Sequence, residues 1–312
     1  LPPMTVAYLF PGQGSQAVGM GRDLYERSAE ARALFDAADA ALGFPLSRLC
    51  FEGPEEELRL TRNTQPALLV VSTAACRLLG RDPDVAAGHS LGEYSALVAA
   101  GVLRFEDAVL LVHKRGRYMQ EAVPVGAGAM AAVLGVPGET VAEKLAGVRS
   151  GVVEIANWNS DEQTVISGEK AAVDEALAAI AAPRSVLLPV SAPFHSRLMT
   201  PAEDRLAADL EAVPFADPRF PVVTNVDARA IRTGVEARDA LKRQVSRSVL
   251  WTRSMAVLRD MGVEACVECG PGKVLAGLLK RAGRSWPKPP AVHNIENAEG
   301  AEKAKAALFG PL

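Results

Sequence analysis

Short apolar runs alternate with longer stretches of helical periodicity along most of the chain, and this alternation predicts an α/β fold. Thr5 to Phe10 is an apolar run broken by Pro11-Gly12-Gln13-Gly14-Ser15-Gln16, which reads as a first strand entering a Gly-rich loop. A helical region follows from about Met20 to Leu42, and Gln65 to Leu79 reads as a long apolar helix starting at Pro66. Val85-Ala86-Ala87 reads as a short buried strand, Glu93 to Ala100 as a helix stopped at Gly101, and Phe105 to Val123 as an amphipathic helix. Between Gly126 and Ser191 the texture changes to smaller units. Strands are predicted over Ala129–Leu134, Val152–Ala156, Thr164–Ser167 and Ser185–Val190, with helices over Glu139–Leu145 and Lys170–Ala181. The order βαββαβ is the ferredoxin-like pattern and predicts an inserted small domain, hinged at Gly126-Ala127-Gly128 and Ala192-Pro193. Beyond it come a helix from about Arg197 to Leu210, a strand over Pro221–Asn225 and a helix over Ala237–Val245. A strand over Val263–Glu268 then ends at Gly270-Pro271-Gly272, where the last long helix starts, and Ala291–Ile295 is a late strand. The division is a discontinuous core of 1–124 and 194–312 around a subdomain of 125–193.

Composition changes this picture little. The 312 residues are 49% apolar and 23% charged, enough for one large domain with an insertion. A net charge of −3, from 34 basic and 37 acidic residues, gives no electrostatic case for nucleic acid or an anionic membrane surface. No apolar run reaches the length of a membrane span, and the first residues lack the pattern of a signal peptide, which points to the cytoplasm. Leu1-Pro2-Pro3 precede Met4 and are set aside from the fold reading. Four scattered cysteines do not make a disulfide framework. Cys266-Val267-Glu268-Cys269 has C-x-x-C spacing. It falls on a predicted strand, where alternate residues face opposite ways, and no second pair completes a zinc site.

The chemistry gathers at a few places. Gly88-His89-Ser90-Leu91-Gly92 matches the G-x-S-x-G nucleophile elbow and has a strand before it and a helix after it. A serine on such a turn is pushed out at the carboxyl end of a sheet, where the following helix aims its N–H groups at developing negative charge. In the first loop, Gly12 and Gly14 bracket Gln13 and allow close backbone approach. A phosphate loop would need glycine where Ala17 stands. Arg115 projects from the apolar face of its helix, with Leu111, Val112, Tyr118 and Met119 around it, whereas Arg117 lies among His113, Lys114, Gln120 and Glu121 and is solvated. A guanidinium on an apolar face needs a partner, either a core carboxylate or a substrate carboxylate held bidentately. Asn157-Trp158-Asn159-Ser160-Asp161 reads as a polar turn whose amides either cap it or face a cleft. A serine nucleophile requires a base. Of four histidines, His195 alone sits at a strand-loop-helix junction. His89 adjoins the serine and diverges from it, His113 lies on a polar helix face, and His293 lies in the late strand.

Together, Phe10-Pro11-Gly12-Gln13-Gly14-Ser15-Gln16, Gly88-His89-Ser90-Leu91-Gly92, Arg115 and Phe194-His195-Ser196 resemble the malonyl-CoA:acyl carrier protein transacylases and related polyketide acyltransferases, from about Met4 to the C-terminal helices. The resemblance implies an α/β-hydrolase-like core with a parallel sheet, carrying the ferredoxin-like subdomain with the active site between them. It implies Ser90 as nucleophile, His195 as its base, and the backbone carbonyl of Gln244 as the group that orients the histidine. The backbone N–H groups of Gln13 and Leu91 would form the oxyanion hole, Arg115 would bind the malonyl carboxylate, and Asn157 and Asn159 would be substrate contacts. Phe194 before the histidine goes with malonyl over its α-methyl homologue, a discrimination worth about 1–3 kcal/mol. The implied partners are malonyl-CoA and phosphopantetheinylated acyl carrier protein. A monomer suffices, and no metal or redox cofactor is needed. One departure stands out: Ser248 and Leu250 occupy positions where the family usually has proline and arginine, which puts the local backbone course, and with it the Gln244–His195 contact, in question. Two rival readings remain. One is an α/β serine hydrolase with His293 as base, and the other is a carrier-protein binding module without catalysis.

Overall fold

The computed structural model describes residues 3–310, so Leu1 and Pro2 of the set-aside leader lie outside it. Ten strands follow one another as β1 (Val6–Phe10), β2 (Val85–Gly88), β3 (Gly128–Leu134), β4 (Val153–Ser160), β5 (Gln163–Glu169), β6 (Arg184–Leu187), β7 (Val222–Val223), β8 (Ala230–Ile231), β9 (Ala265–Cys269) and β10 (Ala291–Ile295). They form a six-stranded sheet of order β10-β9-β1-β2-β7-β8 and a four-stranded sheet of order β4-β5-β3-β6. The large sheet is parallel from β10 to β7, and β8 adds an antiparallel edge. The expected parallel sheet is present and carries one antiparallel edge strand that was not expected. The edge strand is two residues long, too short for periodicity to mark it, and the strand expected over Pro221–Asn225 shrinks to two residues beside it.

Both faces of the large sheet are covered, which is why β1 is buried at all five positions. Val6, Tyr8 and Phe10 enter one core while Ala7 and Leu9 enter the other. The same alternation separates Cys266 from Cys269 across β9, so the two thiols face different cores. The helical region expected over Met20–Leu42 is two helices, Arg22–Arg27 and Ala29–Leu42. The chain is extended at Ser28, whose hydroxyl accepts the Ala31 amide at 3.1 Å and caps the second helix. Short helices over Leu46–Glu52 and Glu55–Arg59 carry no periodic signature. None of the helices among the described residues is long and apolar enough to cross a membrane.

The long buried helix runs over Thr61–Arg77, so it starts before Pro66 instead of at it. Proline has no N–H for the carbonyl of Arg62, one turn back, and that carbonyl accepts a hydrogen bond from His113 Nδ1 at 2.8 Å. His113 is thus a structural partner on the helix Phe105–Glu121. The two helices touch backbone to backbone at Gly116, where a Cβ would lie 2.6 Å from the Thr61 carbonyl oxygen and 2.7 Å from Arg62 Cα.

The small sheet has the expected order of elements, with helices Gly138–Ala146 and Lys170–Ile180 packed on one face against Ala131, Val133, Ile155 and Ile166. Its other face contributes Met130, Ala156 and Val165 to the main core. Two boundaries differ from expectation. β4 continues through Asn157-Trp158-Asn159-Ser160, with register shifts after Ile155 and after Trp158, so the predicted polar turn is strand. β6 ends at Leu187 and not at Val190, although Leu188 N still donates to Met130 O at 2.9 Å. The segment in question around Ser248 runs beside β4. Val249 N donates to Ala156 O at 2.8 Å, Trp158 N donates to Val249 O at 2.9 Å, and Ser248 Oγ donates to the Ile155 carbonyl. The serine at the family's proline position therefore fixes the backbone by a hydrogen bond. A helix that the sequence pattern did not mark, Trp251–Asp260, follows it.

Because the atoms that a Gly116 side chain would meet are backbone, Gly116→Ala is expected to cost about 1–3 kcal/mol by forcing the two long helices apart. A denaturant midpoint equal to that of the wild type would show that the contact is looser than described.

Candidate active site

The serine elbow is built by close packing. β2 ends at Gly88, and the helix Gly92–Ala99 begins two residues after Ser90. A Cβ on Gly88 would lie 1.9 Å from the Gly92 carbonyl oxygen, and one on Gly12 would lie 2.4 Å from the His89 carbonyl oxygen, so the elbow and the first loop are pressed together. Ser90 has φ 51, a left-handed conformation that costs a residue with a side chain and holds Oγ clear of the turn.

His195 reaches it from the loop after β6. Its φ is 55, and the loop is tightened by Ser196 Oγ donating to Pro193 O at 2.7 Å. His195 Nδ1 lies 2.9 Å from the Gln244 carbonyl oxygen, which can only accept, so Nδ1 carries the proton. Nε2 is then free to accept from Ser90 Oγ, 2.7 Å away. The residue is 4% exposed. Burial, and secondly the positive charge of Arg115, push its imidazole down to about 3 against the support of the Gln244 bond. It is a neutral base throughout the physiological range.

Arg115 is 1% exposed, and its surroundings decide between the two partners left open for it. No core carboxylate takes the guanidinium. Nη1 donates to Gln65 Oε1 at 2.8 Å and Nη2 to Gln244 Oε1 at 2.9 Å, both neutral amide oxygens. Nη2 also lies 3.3 Å from Ser90 Oγ, and the guanidinium stands 5.5 Å above the Tyr94 ring. Nε has no acceptor among the described residues. A buried acid on the neighbouring helix, Glu93, makes no hydrogen bond to it, and burial pushes that carboxyl up to about 8. The result is a fixed cation, beside a nucleophile, whose charge is not cancelled.

Behind the elbow is a residue the motifs did not reveal. Asn225 Oδ1 accepts from Ser90 N at 2.7 Å and from Gln244 Nε2 at 3.1 Å, while Asn225 Nδ2 donates to Gly88 O at 2.7 Å. Gln244 Nε2 also donates to Ser90 O at 3.0 Å. Gln244 therefore holds His195 with its backbone and Arg115 and the elbow with its side chain. Gln65 and Asn225 could have been suspected on the logic that exposed Arg115: a polar side chain on an apolar face, and a polar residue at the carboxyl end of a strand.

Ser90, His195 and Arg115 line a cavity of 190 Å³ together with Gln13, Leu91, Asn157 and Phe194. Its walls also include Met119, Met130, Leu188-Pro189-Val190, His89 and a second cation, Arg59, which is paired with Glu55 at 2.7 Å. The Gln13 side chain is turned aside to Thr61 Oγ1, 3.2 Å away. Among the described residues neither the Gln13 nor the Leu91 amide donates to a protein acceptor, while Ser90 N is spent on Asn225. Asn159 is not in the cavity. Its Oδ1 lies 2.7 Å from His89 Nε2, so it ties down the histidine beside the serine. His89 points away from Ser90 and its ring lies 5.2 Å from that of Trp251. His293 lies on β10, two strands from β1, and lines a separate groove with Lys273 and Glu299. An open groove of 600 Å³ on the far side of residues 57–63 is larger than the serine cavity but holds no nucleophile, and its histidine, His113, is tied to Arg62.

The chain is similar to known proteins over nearly its whole length. The acyl transferase domain family matches residues 7–308. The malonyl CoA-acyl carrier protein transacylase of Escherichia coli K12 is 49% identical over 283 residues, 88% of this chain and 92% of the relative, and that of Bacillus subtilis 168 is 47% identical over 302 residues, 94% and 95% respectively. Among solved structures, the Coxiella burnetii malonyl CoA-acyl carrier protein transacylase superposes with a TM-score of 0.94 at 41% identity, covering 98% of both chains. A malonyl-transacylase in complex with a type II PKS acyl-carrier protein superposes with a TM-score of 0.93 at 41% identity, covering 97% of this chain and 99% of the other. The fold, the buried serine cavity and these matches along nearly the whole length place the chain in one family: it belongs to the malonyl CoA-acyl carrier protein transacylases of the acyl transferase family.

Proposed function

We propose that the protein moves a malonyl group from malonyl-CoA to the phosphopantetheine thiol of acyl carrier protein through a malonyl ester on Ser90. The observation that carries the reading is Arg115, a buried guanidinium on neutral amide partners at 3.3 Å from a serine hydroxyl. An esterase has no use for a fixed cation in its acyl pocket, whereas an acyl group ending in a carboxylate does.

In the first half-reaction His195 Nε2 takes the Ser90 hydroxyl proton as Oγ attacks the thioester carbon. The oxyanion meets the amides of Gln13 and Leu91 at the head of the helix Gly92–Ala99. Collapse breaks the C–S bond, and the departing CoA thiolate takes the proton back from His195. In the second half the carrier thiol gives its proton to His195 and attacks the ester carbonyl, and Ser90 Oγ leaves with that proton. A thioester is exchanged for another of similar energy, so the chemistry asks for no metal or redox cofactor. Phe194, Met119 and Met130 crowd the space beside Arg115 and favour malonyl over bulkier acyl groups. Asn157 belongs to the same wall, whereas Asn159 acts only through His89.

The same reading treats the large sheet and its helices, 1–124 and 194–312, as an α/β-hydrolase-like core. It treats 125–193 as a ferredoxin-like subdomain, supported by the βαββαβ order and the strand order β4-β5-β3-β6. It is a reading for a cytoplasmic, monomeric enzyme.

Intact mass after mixing with malonyl-CoA is expected to rise by one malonyl group in the wild type and not in Ser90→Ala; an unmodified wild type would favour a binding module instead. His195→Ala is expected to abolish loading and His293→Ala to leave it, and the reverse pattern would assign the site to a hydrolase. Arg115→Ala is expected to lower malonyl loading about 10–100-fold, the worth of a charge-assisted hydrogen bond of about 1.5–3 kcal/mol, while uncharged acyl-CoA is better tolerated. With the His195 imidazole held down to about 3, it stays unprotonated as pH falls, so single-turnover loading is expected to be flat from about pH 8 to pH 5. An inflection near 6.5 would mean that the histidine is far less buried than described.

A further inference from the structure

Glu93 is a buried acid that the transfer chemistry does not use. It lies one residue beyond Gly92 in the elbow helix and is 1% exposed. Its Oε1 accepts the backbone N–H of Asn225 at 2.6 Å, and Asn225 in turn binds Ser90 N, Gly88 O and the Gln244 side chain. Its Oε2 has no partner among the described residues. A buried carboxylate would need more donors than one amide, and the nearest guanidinium has turned its nitrogens to Gln65 and Gln244 instead. We propose that Glu93 is a positioning residue of the transfer: as an uncharged carboxyl it holds Asn225 in the place that locks the elbow, and it leaves the Arg115 charge free for the acyl carboxylate.

Two consequences follow from that placement. Asn225 removes Ser90 N from the donors available to an oxyanion, so only the amides of Gln13 and Leu91 are left facing the cavity. Losing the Glu93 acceptor would release Asn225, and with it both the serine amide and the glutamine that supports His195 and Arg115. The charged or titratable groups that bear on the Glu93 carboxyl are Arg115 from the long helix, Asp227 and Arg243 beyond Asn225, and Tyr94 on its own helix. Asp227 and Arg243 are paired with each other at 2.7 Å, so Arg115 is the cation an ionised Glu93 would neutralise. Burial keeps the carboxyl protonated up to about 8, and above that pH the new negative charge competes with the acyl carboxylate.

The test rests on the malonyl-transfer reading and is separable from it, because a wild type that gains no malonyl mass defeats that reading before Glu93 is touched. Pre-steady-state loading from malonyl-CoA would be followed from pH 7 to pH 9 in wild type, E93Q and E93A, with thermal melts of each. E93A is expected to lose about 100-fold in kcat, the cost of a misplaced reacting group, with KM little changed. E93Q, which keeps an acceptor and cannot ionise, is expected to restore kcat. Its KM is expected to stay flat where the wild-type KM rises several-fold above about pH 8. A folded E93Q without activity, the same alkaline rise of KM in E93Q as in wild type, or a folded E93A with wild-type kcat would each overturn the proposal. Should E93A fail to fold, the pH profile of E93Q decides alone.

Discussion

A positive charge without a negative partner is the constraint around which the centre of this protein is arranged. Arg115 is taken out of water by the helix that carries it, and its guanidinium rests on the amide oxygens of Gln65 and Gln244. Amide dipoles orient a cation without cancelling it, so its field remains in the cavity. That field is one reason the His195 imidazole stays unprotonated, and it opposes the burial that keeps the Glu93 carboxyl uncharged. Replacing the two glutamines by carboxylates would satisfy the arginine better and would leave nothing for a ligand anion to bind. On the proposed reading, the stability given up in leaving the charge open is what selects an acyl group that ends in a carboxylate.

How much of this could be read along the chain depended on whether the information was local. The elbow was legible because strand, glycines, serine and helix lie within a few residues, and Arg115 was legible because a single helix face already makes its burial anomalous. His195 followed from its loop and from the need of a serine for a base. The contacts among the polar groups behind them were not legible, even where a residue such as Asn225 could be suspected singly, because Asn225 and Glu93 are 132 residues apart in sequence and meet only when β7 is laid beside β2. Gln244 was reached through a resemblance for its carbonyl, and nothing in the chain announced that its side chain would also hold the arginine. Asn157-Trp158-Asn159 looked like a turn because its amides suit one. They are strand because they pair with β5 on one side and Val249 bridges to Asn157 on the other. Three of the missed elements, β8 and the helices Leu46–Glu52 and Glu55–Arg59, are too short for a period to repeat, whereas the missed helix Trp251–Asp260 is ten residues long.

The pairing of Val249 with β4 bears on how the cavity is entered. The small sheet is attached at its two hinges and also by backbone bonds on both sides of Val249, by Ser248 Oγ on the Ile155 carbonyl and by Thr252 Oγ1 on the Trp158 carbonyl at 3.0 Å. These four bonds lie along one strand, so a rigid rotation of the small sheet away from the large one would have to break them together. Leu188-Pro189-Val190, which follows β6 and forms part of the cavity wall, is held to the small sheet by one backbone bond, from Leu188 N to Met130 O at 2.9 Å. Passage of a long, thin substrate arm past this wall would then have to loosen one backbone bond, and not the four that hold β4.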